Sequence, residues 1–151
     1  MAVHENTLLM LKRRGYNTTI TDRGDSYFRI QDALVVFVKD EKVSINHMKH
    51  IISLRIDSEN IFIIHGKTIT SESKNIIASS INIETFTFDE MGYDILEIIP
   101  HHSKVDEPKH KEWKKFPILK STDPACRYFG FNKGDVVRIQ DGDELIYRRV
   151  L

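Results

Sequence analysis

Along this chain the apolar positions come in short, dense runs separated by polar punctuation, and the runs fall into two periods. Residues 34–38 and 61–64 are continuous and mostly β-branched or aromatic, the pattern of strands buried on both faces. Residues 83–88 alternate, as a half-buried strand does, and 94–99 read as one more strand, ended by Pro100. A helix is predicted over 5–14: Leu8, Leu9, Met10 and Leu11 supply its apolar side, Lys12, Arg13 and Arg14 suit its negative end, and Gly15 offers a left-handed cap. Ser44 is placed to cap a second helix carrying Ile45, Met48, Ile51 and Ile52, which runs into a strand-like stretch at 52–56. Thr70 caps a third, short helix with Glu72 in its first turn and Ile76 and Ile77 inward. Turns are expected at 22–26 and at Gly66-Lys67.

Polar positions take over at 101–115, where prolines and charges predict a surface connection anchored by Trp113, with one helical turn around 109–115. Beyond it the apolar pattern returns. Residues 116–119 read as a strand with Pro117 near its start, where an edge tolerates it. Asp123 is a helix N-cap, Pro124 sits at the first helical position, and Gly130 closes the helix after about two turns. After a turn at Lys133-Gly134, residues 136–140 and 145–150 predict a hairpin across Asp141-Gly142-Asp143. Elements of both kinds in two blocks predict an α+β chain of two small mixed domains, 1–98 and 99–151.

Composition narrows the function. The net charge is zero, yet residues 1–100 hold 11 basic and 14 acidic side chains, and residues 101–151 hold 11 and 8. Neither half has the bulk positive charge of a free-standing DNA binder, so any nucleic-acid contact is expected to be local and weak or supported by a partner. No run is long and apolar enough for a membrane span, the first residues lack the pattern of a signal peptide, and the single cysteine, Cys126, suits a reducing compartment, cytoplasm or nucleus.

Candidate chemistry is sparse. Adjacent His101 and His102 point to opposite faces of any strand and cannot share an ion. Cys126 lies within the short helix among apolar neighbours and reads as core. A metal-dependent nuclease needs converging carboxylates and a lysine; Asp32, Asp40, Glu41, Lys42 and Glu59 are the residues available, but Glu41 and Lys42 fall in a turn. No catalytic group, metal site or cofactor site is expected.

The last block carries a resemblance. Asp123-Pro124-x-x-Arg127-Tyr128-Phe129-Gly130, Lys133-Gly134-Asp135-Val136-Val137-x-Ile139 and Tyr147-Arg148 resemble the C-terminal assembly domain of the fifth subunit of eukaryotic nuclear RNA polymerases and of its archaeal counterpart. Glu97-Ile98-Ile99-Pro100-x-His102 is similar to the words that lead that domain. Upstream, Arg14-Gly15-Tyr16 and the order of elements to residue 86 look like the jaw domain of the eukaryotic subunit, which archaeal members lack. The resemblance implies a jaw at 1–98 with a restriction-endonuclease-like sheet lacking catalytic carboxylates, and an assembly domain at 99–151. It implies a non-catalytic subunit of a DNA-dependent RNA polymerase, with the largest subunit, other polymerase subunits and, weakly, downstream duplex DNA as partners.

The subunit contacts it implies are Pro100, His102, Asp123, Pro124, Arg127, Tyr128, Lys133, Arg138 and Arg148; the DNA-proximal residues are Lys67, Thr70, Ser71 and Lys74. The chain departs from the family in a shortened segment at 103–115, a reduced hairpin tip at 141–144, and Thr70-Ser71-Glu72-Ser73 where the family has Thr-Pro-Ser-Ala. The compact jaw and the Ile-, Asn- and Lys-rich composition point to a divergent lineage of the kind a large DNA virus carries. The expected location is the nucleus or cytoplasm, or a virion or viral factory. A small nuclease and a free-standing adaptor that uses the same module are the alternatives.

Overall fold

The computed structural model describes residues 2–55, 58–80, 82–106 and 110–151. The chain forms two compact units, Met1–Tyr93 and Asp94–Leu151, dividing earlier than the boundary expected at 98/99.

The first unit is built on one mixed sheet. Helix α1 (Ala2–Arg13) is followed by β1 (Ile20–Arg23), β2 (Tyr27–Ile30) and β3 (Ala33–Val38), then β4 (Lys42–Val43), α2 (Ile45–Ser53), β5 (Asn60–His65), β6 (Thr68–Ile69), α3 (Ser71–Ser79) and β7 (Ile83–Thr87). The sheet order is β1-β2-β3-β5-β7, antiparallel from β1 to β3 and parallel from β3 to β7; β4 and β6 pair separately. The dense runs lie at its centre, and Leu34, Val35, Ile61, Phe62, Ile63 and Ile64 are all buried. Alternation sends them to two faces. Leu34, Val36, Ile61 and Ile63 pack with Met48 and Ile51 of α2 and Ile76 and Ile77 of α3. On the other face Phe28 and Phe37 meet His4 of α1, and Tyr16, just past α1, lies edge-on to Phe62. A three-layer α/β/α arrangement results.

The caps follow the sequence. Gly15 has φ 98°, and Thr70 Oγ1 accepts from the Ser73 N–H at 3.3 Å. Ser44 forms a reciprocal cap with His47: the ring Nδ1 accepts from the Ser44 N–H at 2.9 Å, so Nε2 carries the proton and donates to Asp40 at 2.7 Å. Ile52, expected inward, is 46% exposed, because α2 turns only Met48 and Ile51 to the sheet. The strand-like stretch at 52–56 ends outside the described residues, and residues 52–53 belong to α2. The β1–β2 hairpin is not legible in the sequence: its strands mix Thr, Asp and Arg with apolar residues, and the turn expected at 22–26 narrows to 24–26.

The second unit has a four-stranded sheet, order β8-β10-β11-β9, made from β8 (His101–Lys104), β9 (Ile118–Leu119), β10 (Val136–Asp141) and β11 (Glu144–Val150). Helix α4 (Pro124–Phe129) starts on Asp123, whose carboxylate accepts from the Ala125 N–H, and ends at Gly130 in the left-handed region, φ 69° and ψ 32°. The hairpin pairs out to Asp141 and Glu144, leaving Gly142-Asp143 as a two-residue loop with Gly142 at φ 60°. Leu119, Cys126, Val137, Ile139 and Val150 form the core.

Two expectations are corrected. Residues 94–99 are not a strand: Asp94 Oδ1 accepts from the Leu96 N–H at 3.0 Å and winds a 3₁₀ turn over Ile95–Glu97, leaving Ile98 71% exposed. Residues 101–104, expected as part of a surface connection, are strand β8, because antiparallel pairing with β10 outweighs their polar character and turns His102 inward at 8% exposure. Of the helical turn expected around 109–115, Trp113–Lys115 is a 3₁₀ turn and Lys109 lies outside the described residues, as do Glu107 and Pro108 of the connection.

Candidate subunit-docking and nucleic-acid surfaces

In the C-terminal unit the strand register sorts the side chains. Cα partners across a ladder share a face, so His102, Val137, Ile139, Ile146 and Arg148 lie together under α4, and Ser103, Arg138, Gln140, Leu145 and Tyr147 lie on the opposite face. A notch of about 500 Å³ opens beside the start of α4 and brings together Pro100, His102, Asp123 and Arg148, with Ile118, Ile139 and Ile146 as its apolar wall. These four positions from three separate parts of the unit, all expected to contact a partner, therefore share one concave surface.

The polar groups of the notch are held in place. Pro100 O accepts from His102 Nδ1 at 2.8 Å; a carbonyl only accepts, so Nδ1 bears the proton and a neutral ring keeps Nε2 as an acceptor. One carboxylate oxygen of Asp123 is committed to the cap. The Cys126 thiol is pushed up to about 11 by burial and then by Asp123 and Asp135, so at neutral pH it is a protonated core group with little nucleophilic character.

The other expected contacts lie elsewhere on the unit. Pro124 and Lys133 are exposed, Arg127 is half-buried on α4, and Arg138 projects from the opposite sheet face. Tyr128 is only 5% exposed and packs edge-on against Phe129 at 5.1 Å, inside the unit.

In the N-terminal unit Lys67 and Lys74 are exposed on either side of the α3 start, with Ser71 exposed between them. Thr70 Oγ1 is occupied: it donates to Ser73 Oγ at 2.8 Å while accepting from the Ser73 N–H. Glu72, also exposed, sets a negative charge in the same turn.

The carboxylates offered for a nuclease do not converge. Asp32 and Glu59 stand at the beginnings of β3 and β5, where the Glu59 N–H donates to the Asp32 carbonyl at 2.8 Å. Asp40 and Glu41 follow the far end of β3, a strand about 20 Å long at roughly 3.3 Å per residue. Asp40 is committed to His47. Among the described residues no three His, Cys, Asp or Glu side chains gather as metal ligands, and no helix is long and apolar enough to cross a membrane.

One ion pair that ties α1 to the sheet escapes sequence reasoning. Arg14 donates both terminal nitrogens to Glu84 of β7 at 2.8 and 2.9 Å, and its guanidinium lies 5.3 Å from the Phe62 ring centre. Its signal is local only, because charges at the end of α1 suit the helix dipole equally well.

Residues 97–150 match the family described as RNA polymerase Rpb5, C-terminal domain, which spans the notch, α4 and the hairpin. The C-terminal unit is therefore an Rpb5-type domain. The chain that carries it is similar to proteins of two viruses and a plant. It is 33% identical over 114 residues to protein 092R of Invertebrate iridescent virus 3, covering 74% of this chain and 62% of that protein. It is 28% identical over 89 residues to protein 028R of Frog virus 3 (isolate Goorha), covering 56% and 55%. It is 29% identical over 128 residues to the DNA-directed RNA polymerases IV and V subunit 5B of Arabidopsis thaliana, covering 74% and 57%. The chain thus spans little more than half the length of the curated relatives it matches.

Proposed function

We propose that this chain is a non-catalytic subunit of a DNA-dependent RNA polymerase, encoded by a large DNA virus. The observation that carries the reading is the Rpb5 C-terminal match over 97–150, supported by similarity to a plant polymerase subunit through 74% of the chain. In this reading the C-terminal unit docks on the largest polymerase subunit through the notch. Its apolar wall supplies buried area, while His102, Asp123 and Arg148 fix orientation. The N-terminal unit is the jaw, and Lys67 and Lys74 at the start of α3 face the phosphates of downstream duplex DNA. Two lysines guide a duplex without trapping it, because each phosphate contact adds only about one unit of salt slope. Catalysis belongs to other subunits. The working location is the nucleus or a viral factory, wherever that polymerase is assembled.

The test is a pair of surface variants in the full chain. Ile146→Arg with Arg148→Glu places charge in the notch and is expected to abolish incorporation into polymerase. Lys67→Ala with Lys74→Ala is expected to leave incorporation intact. Incorporation that survives the notch variant in a folded protein would refute docking through this surface.

A further inference from the structure

The face of the C-terminal sheet opposite α4 has a composition that docking through the notch leaves unused. Its strand positions include His101 on β8, Arg138 and Gln140 on β10, and Leu145, Tyr147 and Arg149 on β11. All the charged or ionisable side chains in this set except the phenol are basic or imidazole. The acidic positions of the two hairpin strands, Asp141 and Glu144, are cross-strand neighbours on the α4 side. Tyr147 is 38% exposed and Leu145 47% exposed, so an aromatic ring and an aliphatic group stand open beside an exposed arginine, Arg138, the direct cross-strand partner of Tyr147. The ring surface extends sideways: Phe116 lies 5.9 Å from Tyr147 and His110 5.8 Å from Phe116. Arg149 Nε donates to the Phe116 carbonyl at 3.1 Å and holds that extension against the sheet. In and just before the 3₁₀ turn that precedes Phe116, Lys114 lies 5.8 Å above the Trp113 ring and Glu112 pairs with Lys115 at 3.2 Å.

We infer that this face binds single-stranded nucleic acid. Exposed rings on a sheet face stack on unpaired bases, and cations beside them meet the phosphates that join those bases. A duplex hides its base faces and offers such a sheet only phosphate, so the aromatic groups favour a single strand. A protein surface would use the same arginine and rings, and the polymerase-association measurement below separates that occupant from a single strand. The site lies across the sheet from the notch, so a strand held here and a partner docked there do not compete for the same side chains. The inference stands on the C-terminal unit alone and does not depend on the polymerase reading.

The experiment is fluorescence anisotropy of the pure 151-residue chain with a labelled oligouridylate of about 12 nucleotides, within the range an OB-fold covers. An unlabelled duplex of the same length is the competitor, and the titration is repeated over a series of salt concentrations. The single strand is expected to bind and to resist competition by duplex. Tyr147→Ala is expected to weaken binding about tenfold, whereas Tyr147→Phe, which keeps the ring, holds the wild-type affinity. Arg138→Gln is expected to lower the salt slope by about 0.7, the share of one phosphate on a single strand. Equal affinity for duplex, or unchanged binding by both Tyr147→Ala and Arg138→Gln, would overturn the inference. Loss of polymerase association by Tyr147→Ala with oligonucleotide binding unchanged would also overturn it and assign the face to a protein.

Discussion

Gly130 offers the sharpest test of how the C-terminal unit is held together. It ends α4 at φ 69° and ψ 32°, and its N–H and that of Phe131 both donate to the Cys126 carbonyl. Valine at this position puts a β-branched side chain into the left-handed region, at about 1–2 kcal/mol for the Cβ alone. If the backbone escapes that strain, it loses capping bonds worth roughly 0.5–1.5 kcal/mol each. Either route gives about 2 kcal/mol. The chain holds a single tryptophan, Trp113, and it lies in the C-terminal unit, so tryptophan fluorescence in urea follows this unit. With a slope near 1 kcal/mol/M, suited to so small a unit, the Gly130→Val midpoint is expected to fall by about 2 M. Gly130→Asn, whose side chain tolerates the left-handed region, is expected to fall less. A Gly130→Val midpoint within about 0.5 M of wild type, or an asparagine variant worse than valine, would refute the argument.

Other expectations follow from the same geometry. Asp123→Ala removes the α4 cap and is expected to cost about 0.5–2 kcal/mol in the same melt, less than Gly130→Val. Glu84→Gln loosens the grip of Arg14 on β7 and, with Glu84 partly open to solvent, is expected to destabilise the N-terminal unit by about 1 kcal/mol, read by hydrogen exchange at the end of α1. The Cys126 thiol gives a pH dependence. Its folded pKa, about 11, lies above the ordinary value of 9.0, so between these values the unfolded chain binds fewer protons and stability falls as pH rises. The wild-type midpoint is expected to drop relative to Cys126→Ala between about pH 9 and 11; parallel curves would contradict this. In assembled polymerase, Lys67→Ala with Lys74→Ala is expected to lower the salt slope of downstream-duplex binding by up to about 2 without changing sequence preference.

The parts of the fold that are legible in the sequence are those whose stability is local. Residues 34–38 and 61–64 are so densely apolar that only a buried strand suits them, and Ser44, Thr70, Asp123 and Gly130 mark helix ends through chemistry confined to a few residues. The misreadings arise where a distant partner decides. His101–Lys104 is a strand only because β10 pairs with it, and β1 pairs with β2 despite Asp22 and Arg23 in its run. Residues 94–99 look like a strand but find no neighbouring ladder, and one Asp94 hydrogen bond suffices to wind them. For the candidate site, the sequence offers residues but not their grouping. His102 and Arg148 reach the notch, Arg138 faces away and Tyr128 is buried, because strand register rather than spacing in the chain decides which side each one takes.

The polymerase assignment is tested most directly by purifying the tagged chain from cells that make its native polymerase and quantifying what comes with it. The account predicts two very large polymerase subunits in equimolar amount with the chain, together with promoter-independent RNA synthesis in the purified fraction. Recovery of the chain alone, or with partners that include no large polymerase subunit, would contradict it.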